Sequence, residues 1–363
     1  MEPLRPTYSG PGVSGIVPGL LDPGGAAWFP GVVADARSVV LLVVDGLGWE
    51  DLERRRRRLG VLASMDGGPI STVVPSTTAA ALTSITTGLA PSQHGLVGFR
   101  VRVDGRVLNA LSWESNGHRA PDPALVQRQE PFRGRDVAVV TRSEFRNSGF
   151  TIAHLRGGRF VGWRTVSGII EHCRRLTGEG ERLVYAYYPG IDEVAHMYGL
   201  YDGFYDAELA FVDRLIDDLL DALPRSTALM VTSDHGQVHL DPEDWVALGP
   251  LADLVDACSG DGRFRYLHAR RGAAEELLSA AQQTHGKRAW VLSRAQLVDE
   301  EWLGPTPSAN VARRLGDVVL AAHRKVAFID PGLEREAKLR SAHGSMTSAE
   351  MLVPLLAARG RAL

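Results

Sequence analysis

The chain has few cysteines, almost no lysine, no long apolar run and little net charge, and each scarcity removes a class of function. Two cysteines in 363 residues, Cys173 and Cys258, cannot make a disulfide framework. Cys173 lies in a basic helical stretch and Cys258 follows an apolar one, so both read as unreactive thiols of a reducing cytoplasm. No segment approaches the roughly 20 apolar residues that span a bilayer. The opening Met1-Glu2-Pro3-Leu4-Arg5-Pro6 lacks a basic region followed by an apolar run, so no signal peptide is expected. A formal net charge of -3 gives no reason to expect binding to a nucleic-acid polymer or a membrane. Lys287, Lys325 and Lys338 are the only lysines, a bias that fits a GC-rich genome better than a function. The sequence sets no oligomeric state.

What is present is a globular composition, 44% hydrophobic and 23% charged, on a chain long enough for one large α/β domain with an insertion, or two ordinary domains. Residues 1–36, rich in Pro and Gly, read as an irregular lead-in. Ser38–Val44 is a continuous, largely β-branched run, the pattern of a strand buried on both faces. Leu183–Tyr188 and Thr227–Thr232 read as two more, with a helix predicted over Asp202–Leu223. The alternation predicts a doubly wound, mostly parallel sheet flanked by helices. Two segments break it. Phe99–Asn109 is predicted as a hairpin turning at Asp104-Gly105. Residues 255–335 are predicted as a small α+β insertion, with strands Phe264–Ala269 and Ala289–Ser293 around a helix Ala273–Gln283. The basic run Arg54–Arg58 reads as a solvated helix face.

Chemistry-bearing residues gather where these strands end. Asp45 follows the first strand, where an open α/β sheet places its active site. Asp192 and His196 are four apart and share one face if Ile191–Tyr198 is helical. Asp234 and His235 end a buried strand, where two ionisable groups are costly without a partner. His343 precedes the apolar stretch Met351–Leu356. Together they offer three carboxylates and three imidazoles, a ligand set suited to two divalent ions. His94 and His239 read as loop or supporting residues rather than ligands. The hydroxyl-rich turn Ser76-Thr77-Thr78 supplies candidate nucleophiles at the start of a helix that Gly88 stops. Free N–H groups there make a phosphate site.

The order and spacing of these motifs resemble the type I phosphodiesterase/nucleotide pyrophosphatase family of the alkaline phosphatase superfamily, over about Val39 to Leu356. The matching elements are Val44-Asp45-Gly46, Pro75–Thr78, Thr87-Gly88 to His94-Gly95, Asp192-x-x-x-His196, Ser233–Gly236 and His343–Ser345. The resemblance implies an alkaline phosphatase-like core made of 37–254 and 336–363, with 255–335 as a cap. It implies that Thr78 is the nucleophile, set between two ions, zinc or manganese. One would be held by Asp192, His196 and His343, the other by Asp45, Asp234 and His235. Two departures follow. The aromatic that stacks on the base in many relatives is Ala79 here, and the Asn that binds a phosphoryl oxygen falls near Phe99. Tyr187, Tyr188 and Trp163 are candidate stacking surfaces in its place.

The expected activity is hydrolysis of a small phosphodiester or nucleotide substrate through a phosphothreonine. Nucleotide pyrophosphates and linear or cyclic dinucleotides such as cyclic di-AMP are the candidate substrates. The alternatives are a phosphomonoesterase or phosphonoacetate-type hydrolase on the same site, and a catalytically inactive metal-binding regulator. Sulfatases and lipid-headgroup phosphotransferases are disfavoured, because neither cysteine has the required motif and no membrane helix is present.

Overall fold

The fold is a computed structural model that describes residues 2–22, 25–115 and 117–363. Its centre is a seven-stranded sheet. In chain order the strands are β1 (Ser38–Val44), β2 (Asp66–Ser71), β3 (Ala138–Arg142), β4 (Arg159–Trp163), β5 (Leu183–Tyr188), β6 (Thr227–Thr232) and β7 (Leu352–Arg359). They lie side by side as β2-β7-β6-β1-β5-β3-β4. β1 pairs in parallel with β5 and with β6, and only β7 runs against its neighbours. Every residue of β1 is buried, as its unbroken apolar sequence requires of a strand covered on both faces.

Helices close both faces. On one lie α1 (Ile16–Leu21), α3 (Thr78–Thr87) and α4 (Gly149–Leu155), packed on Leu41, Val43 and Tyr185. On the other lie α2 (Trp49–Arg55), α5 (Ser167–Gly178), α6 (Gly190–Tyr198) and α7 (Gly203–Ala222), packed on Val40, Leu42 and Ala186. This is the doubly wound architecture that the alternation predicts. The lead-in is less irregular than its Pro and Gly content suggests, because Ile16 and Val17 are apolar enough to bury a short helix against α3. The basic run ends α2 and continues as a 3-10 turn. Its arginines pair with Asp51, Glu53 and Asp206.

A second, antiparallel sheet of six strands stands beside the first. Its order is Ala289–Ser293, Val318–Ala322, Phe264–Ala269, Val255–Gly260, Arg100–Val103 and Arg106–Asn109. The hairpin read separately in the sequence therefore extends the sheet of residues 255–335, joined where Gly260 meets Arg100. Asp104 and Gly105 both have positive φ, 49° and 80°, as the tight two-residue turn demands. Helix Ala274–His285 covers this sheet through Leu277 and Ala281. No helix among the described residues is long and apolar enough to cross a membrane. Cys173 and Cys258 are both unpaired and buried, and burial pushes each thiol up to about 12.

Candidate metal centre and nucleophile

Three adjacent strands deliver the ionisable residues to one edge. Asp45 is the first residue after β1, and its N–H donates to the Tyr188 carbonyl at the end of β5. Asp234 and His235 come two and three residues after β6. Asp192 and His196 sit one turn apart on α6, which follows β5. His343 arrives on a short strand, Ser341–Ala342, paired with Val238–His239. The six form two groups with donor atoms within 4.8 Å of one another: Asp192, His196 and His343, and Asp45, Asp234 and His235.

The ring orientations suit metal binding. His196 Nδ1 lies 2.9 Å from the Ser341 carbonyl, His343 Nδ1 2.9 Å from that of Ser76, and His235 Nδ1 3.1 Å from that of Gly236. Each carbonyl can only accept, so each Nδ1 carries the proton and each Nε2 keeps a lone pair. His235 Nε2 faces Asp45 Oδ1 at 3.4 Å and Asp234 Oδ2 at 3.5 Å. Those two oxygens are buried with no hydrogen-bond partner among the described residues, a costly arrangement that a cation would relieve. His196 Nε2 lies 3.4 Å from Asp192 Oδ1, and His343 Nε2 lies 3.9 Å from the same oxygen.

Electrostatics tell the same story. Burial, with Asp234 and Asp192 nearby, holds the Asp45 carboxyl well above its ordinary value. Burial raises Asp234 too, against the lowering effect of His235. Burial lowers the His343 imidazole, helped by His235 and His196. Crowded carboxylates and neutral imidazoles are the donor set that a divalent pair would satisfy.

A ring of polar groups fixes these candidate ligands. Gln237 Nε2 donates to Asp192 Oδ1 at 2.9 Å, and the Ser341 hydroxyl donates to Gln237 Oε1. Ser341 thus touches both Gln237 and His196. Tyr187 donates its hydroxyl to Asp45 Oδ2. Asp234 Oδ1 takes the N–H groups of Gly46 and His235, each at 3.1 Å.

The three hydroxyls of the turn part company. Ser76 Oγ donates to the Ser345 carbonyl at 2.7 Å and accepts Gly344 N–H at 3.1 Å, so it braces the loop that carries His343. Thr77 is fully buried and its hydroxyl has no hydrogen-bond partner among the described residues. Thr78, 7% exposed, is the first residue of α3 and places Oγ1 3.1 Å from His235 Nε2. The rest of α3 is small and hydroxylated because it is wholly buried. Thr83, Thr86 and Thr87 return their hydroxyls to carbonyls one turn back.

Two cavities meet at Thr78. One, about 280 Å³, runs between α3 and α4 past Tyr185, Tyr187, Phe150 and His154. The other, about 230 Å³, runs under the second sheet past Phe99, Trp245 and Asp261. Asp192 and Leu111 border both. Of the three expected stacking residues, Tyr187 alone lines either of these two cavities. Tyr188 and Trp163 stack on each other at 6.5 Å within the core on the opposite face of the sheet. Adjacent strand residues point to opposite faces, so Tyr187 and Tyr188 cannot both reach the site. His94 also lies outside it. Its Nδ1 accepts Leu96 N–H, and its Nε2 meets the Ser84 hydroxyl of α3 at 2.9 Å. His239 Nδ1 accepts Leu200 N–H at the end of α6. The bracing roles of Gln237 and Ser76 are absent from the sequence reading. The one available signal is that each lies within two residues of a candidate ligand or the candidate nucleophile.

Comparisons with known proteins agree with this fold. The family model described as type I phosphodiesterase / nucleotide pyrophosphatase matches residues 39–346. No curated protein matches the sequence. Among solved structures, murine ectonucleotide pyrophosphatase / phosphodiesterase 5 is similar in fold, at TM-score 0.68, 16% identity and 90% coverage of each chain. The human form of that protein aligns at TM-score 0.66, with the same identity and coverage. Phosphonoacetate hydrolase from Sinorhizobium meliloti, in complex with phosphonoformate, aligns at TM-score 0.63, with 19% identity and 91% of each chain.

Proposed function

The chain belongs to the type I phosphodiesterase/nucleotide pyrophosphatase family, whose members are metal-dependent hydrolases, and from that premise we propose that it cleaves nucleotide-type phosphodiesters with Thr78 as nucleophile. Nucleotide pyrophosphates and linear or cyclic dinucleotides, such as cyclic di-AMP, are the candidate substrates. The carrying observation is the position of Thr78 Oγ1, beside His235 Nε2 and at the junction of two cavities that no lysine or arginine lines among the described residues. A diester needs room for two substituents and little counter-charge. A monoester dianion or a phosphonate would call for a further cation. A murine relative's structure holds AMP, which is consistent with a nucleotide substrate.

Asp192, His196 and His343 would hold one ion, and Asp45, Asp234 and His235 the other. When bound, such ions lower the pKa of a hydroxyl or water and offset charge on phosphoryl oxygens. Thr78 Oγ1 forms the new bond to phosphorus as the bond to the leaving alcohol breaks. Water then cleaves the phosphothreonine, releasing a phosphomonoester and restoring the hydroxyl. The first turn of α3, with N–H groups free of intrahelical acceptors, would meet the phosphoryl oxygens, since Phe99 offers no side-chain amide. Tyr187 and Gln237 hold Asp45 and Asp192 in place. The buried free thiols suit a reducing compartment, and we place the enzyme in the cytoplasm.

The test compares bis-p-nitrophenyl phosphate with p-nitrophenyl phosphate after reloading with zinc or manganese. A diester preference is expected. A monoester preference of about tenfold, about 1.4 kcal/mol in transition-state binding, would overturn this reading in favour of a phosphatase.

A further inference from the structure

The cavity beneath the second sheet has a composition that the phosphodiesterase reading does not by itself explain. It borders His196, His343 and Thr78 on one side. On the other it is walled by Phe99, Trp245 and Leu339, with carboxylates from Asp261 and Glu336. Among the described residues no lysine or arginine lines it. Phe99 stands just before the hairpin strand Arg100–Val103, and its N–H donates to Asp261 Oδ2 at 3.3 Å. Trp245 is fixed through its indole N–H, which donates to the Leu339 carbonyl at 3.1 Å.

The two carboxylates differ. Glu336 is committed to the protein, pairing with Arg265 and accepting the Asp330 N–H at 2.9 Å. Asp261 forms no ion pair with a described residue, although its position in the cavity is set by the turn Asp261–Phe264 and by Phe99. Burial holds its carboxyl up at about 7, against the pull of Arg265. An aromatic wall with one carboxyl group outside any ion pair among the described residues matches the face and the amine edge of a nucleobase. Beyond the candidate metal ligands it would offer a second phosphate carboxylates and no cationic side chain.

We infer that this second cavity is a nucleobase subsite in which Phe99 and Trp245 flank the base and Asp261 accepts a hydrogen bond from its exocyclic amine. The inference rests on the phosphodiesterase reading and narrows it. The substrate is a dinucleotide with one nucleoside on each side of Thr78, an amine-bearing base lies beneath the second sheet, and nucleotide pyrophosphates are poor substrates. It also supplies the base contact that Ala79 cannot make.

The test uses the full chain reloaded with zinc and the dinucleoside monophosphates ApA and UpU, whose bases respectively have and lack an exocyclic amine. The wild type should favour ApA at least tenfold in kcat/KM. Asp261→Leu should bring the ratio within about threefold of unity, and Trp245→Leu should lower kcat/KM for both. Should Asp261→Leu fail to fold, adenosine and uridine compete against bis-p-nitrophenyl phosphate in the wild type, and adenosine should inhibit at least tenfold better. Equal rates for ApA and UpU, equal inhibition by the two nucleosides, or an unchanged ratio in a folded Asp261→Leu would overturn the inference. In each case turnover of bis-p-nitrophenyl phosphate would leave the phosphodiesterase reading standing. Failure of the wild type to cleave any diester would instead overturn that parent reading.

Discussion

Removing one oxygen from Ser76 should separate the support of the metal site from the chemistry. Ser76 is fully buried, and its hydroxyl makes two hydrogen bonds to the loop that carries His343. Ser76→Ala leaves Gly344 N–H unpaired in the interior, at about 1–3 kcal/mol, and removes a donor to the Ser345 carbonyl, at about 1 kcal/mol. The variant should therefore lose about 2–4 kcal/mol of stability in urea denaturation of chelated protein. The Ser76 carbonyl still accepts from His343 Nδ1, so the ligand stays in place but is held less firmly. Weakened support of this kind lowers metal affinity about 10–100-fold. Competition titrations with a zinc chelator should show one weakened site and one unchanged. Turnover of bis-p-nitrophenyl phosphate at excess zinc should return to within about tenfold of wild type. If excess zinc does not restore turnover while both affinities match wild type, Ser76 belongs to the chemistry and the bracing argument fails.

Three further outcomes are expected. Thr78→Ala should lose several orders of magnitude in kcat and keep its metal, whereas Thr77→Ala should stay active; the reverse pattern in single-turnover assays would move the nucleophile by one residue. Protein purified without chelator and reloaded should hold two ions per chain by elemental analysis, and His196→Ala should lose mainly one; a wild-type value of one or zero would break the six-ligand assignment. Burial and Arg314 hold the His94 imidazole down to about 3, against 6.5 for the unfolded chain. The stability of its neutral form is complete above pH 6.5 and is lost as pH falls toward 3, by up to about 1.4 kcal/mol per unit. Thermal melts from pH 7.5 to 4.5 should fall less steeply for His94→Gln, and parallel curves would refute the assignment.

The sequence exposes the parts of this molecule whose physics is local. β1, β5 and β6 are apolar runs ending in acids, α7 is amphipathic, and Gly88 takes the left-handed conformation (φ 74°) that stops α3. The edge strand β2 reads Asp-Gly-Gly-Pro-Ile-Ser, where Ile70 alone favours a strand, and it is held by pairing with β7. The parity of β5 was also hidden. Val43 faces the α3 side, and two residues further along the same parity lies Asp45. Parallel pairing sets Val43 opposite Tyr187. Only that register shows that Tyr187, and not Tyr188, can reach Asp45. The joining of the hairpin to the distant insertion likewise depends on a contact between Gly260 and Arg100, which no local pattern announces.

The histidines of the site are oriented by main-chain carbonyls of Gly236, Ser341 and Ser76. A carbonyl survives any substitution of the residue that bears it, so these three anchors are invisible to mutational drift in a way that a carboxylate anchor would not be. The vulnerability shifts to backbone placement. At Gly236 a single added carbon would sit 2.1 Å from the Ala349 carbonyl oxygen, so the chain would have to move and the imidazole with it. A saturation library should then tolerate changes at Ser341 more readily than any side chain at Gly236, although neither residue contributes a ligand atom.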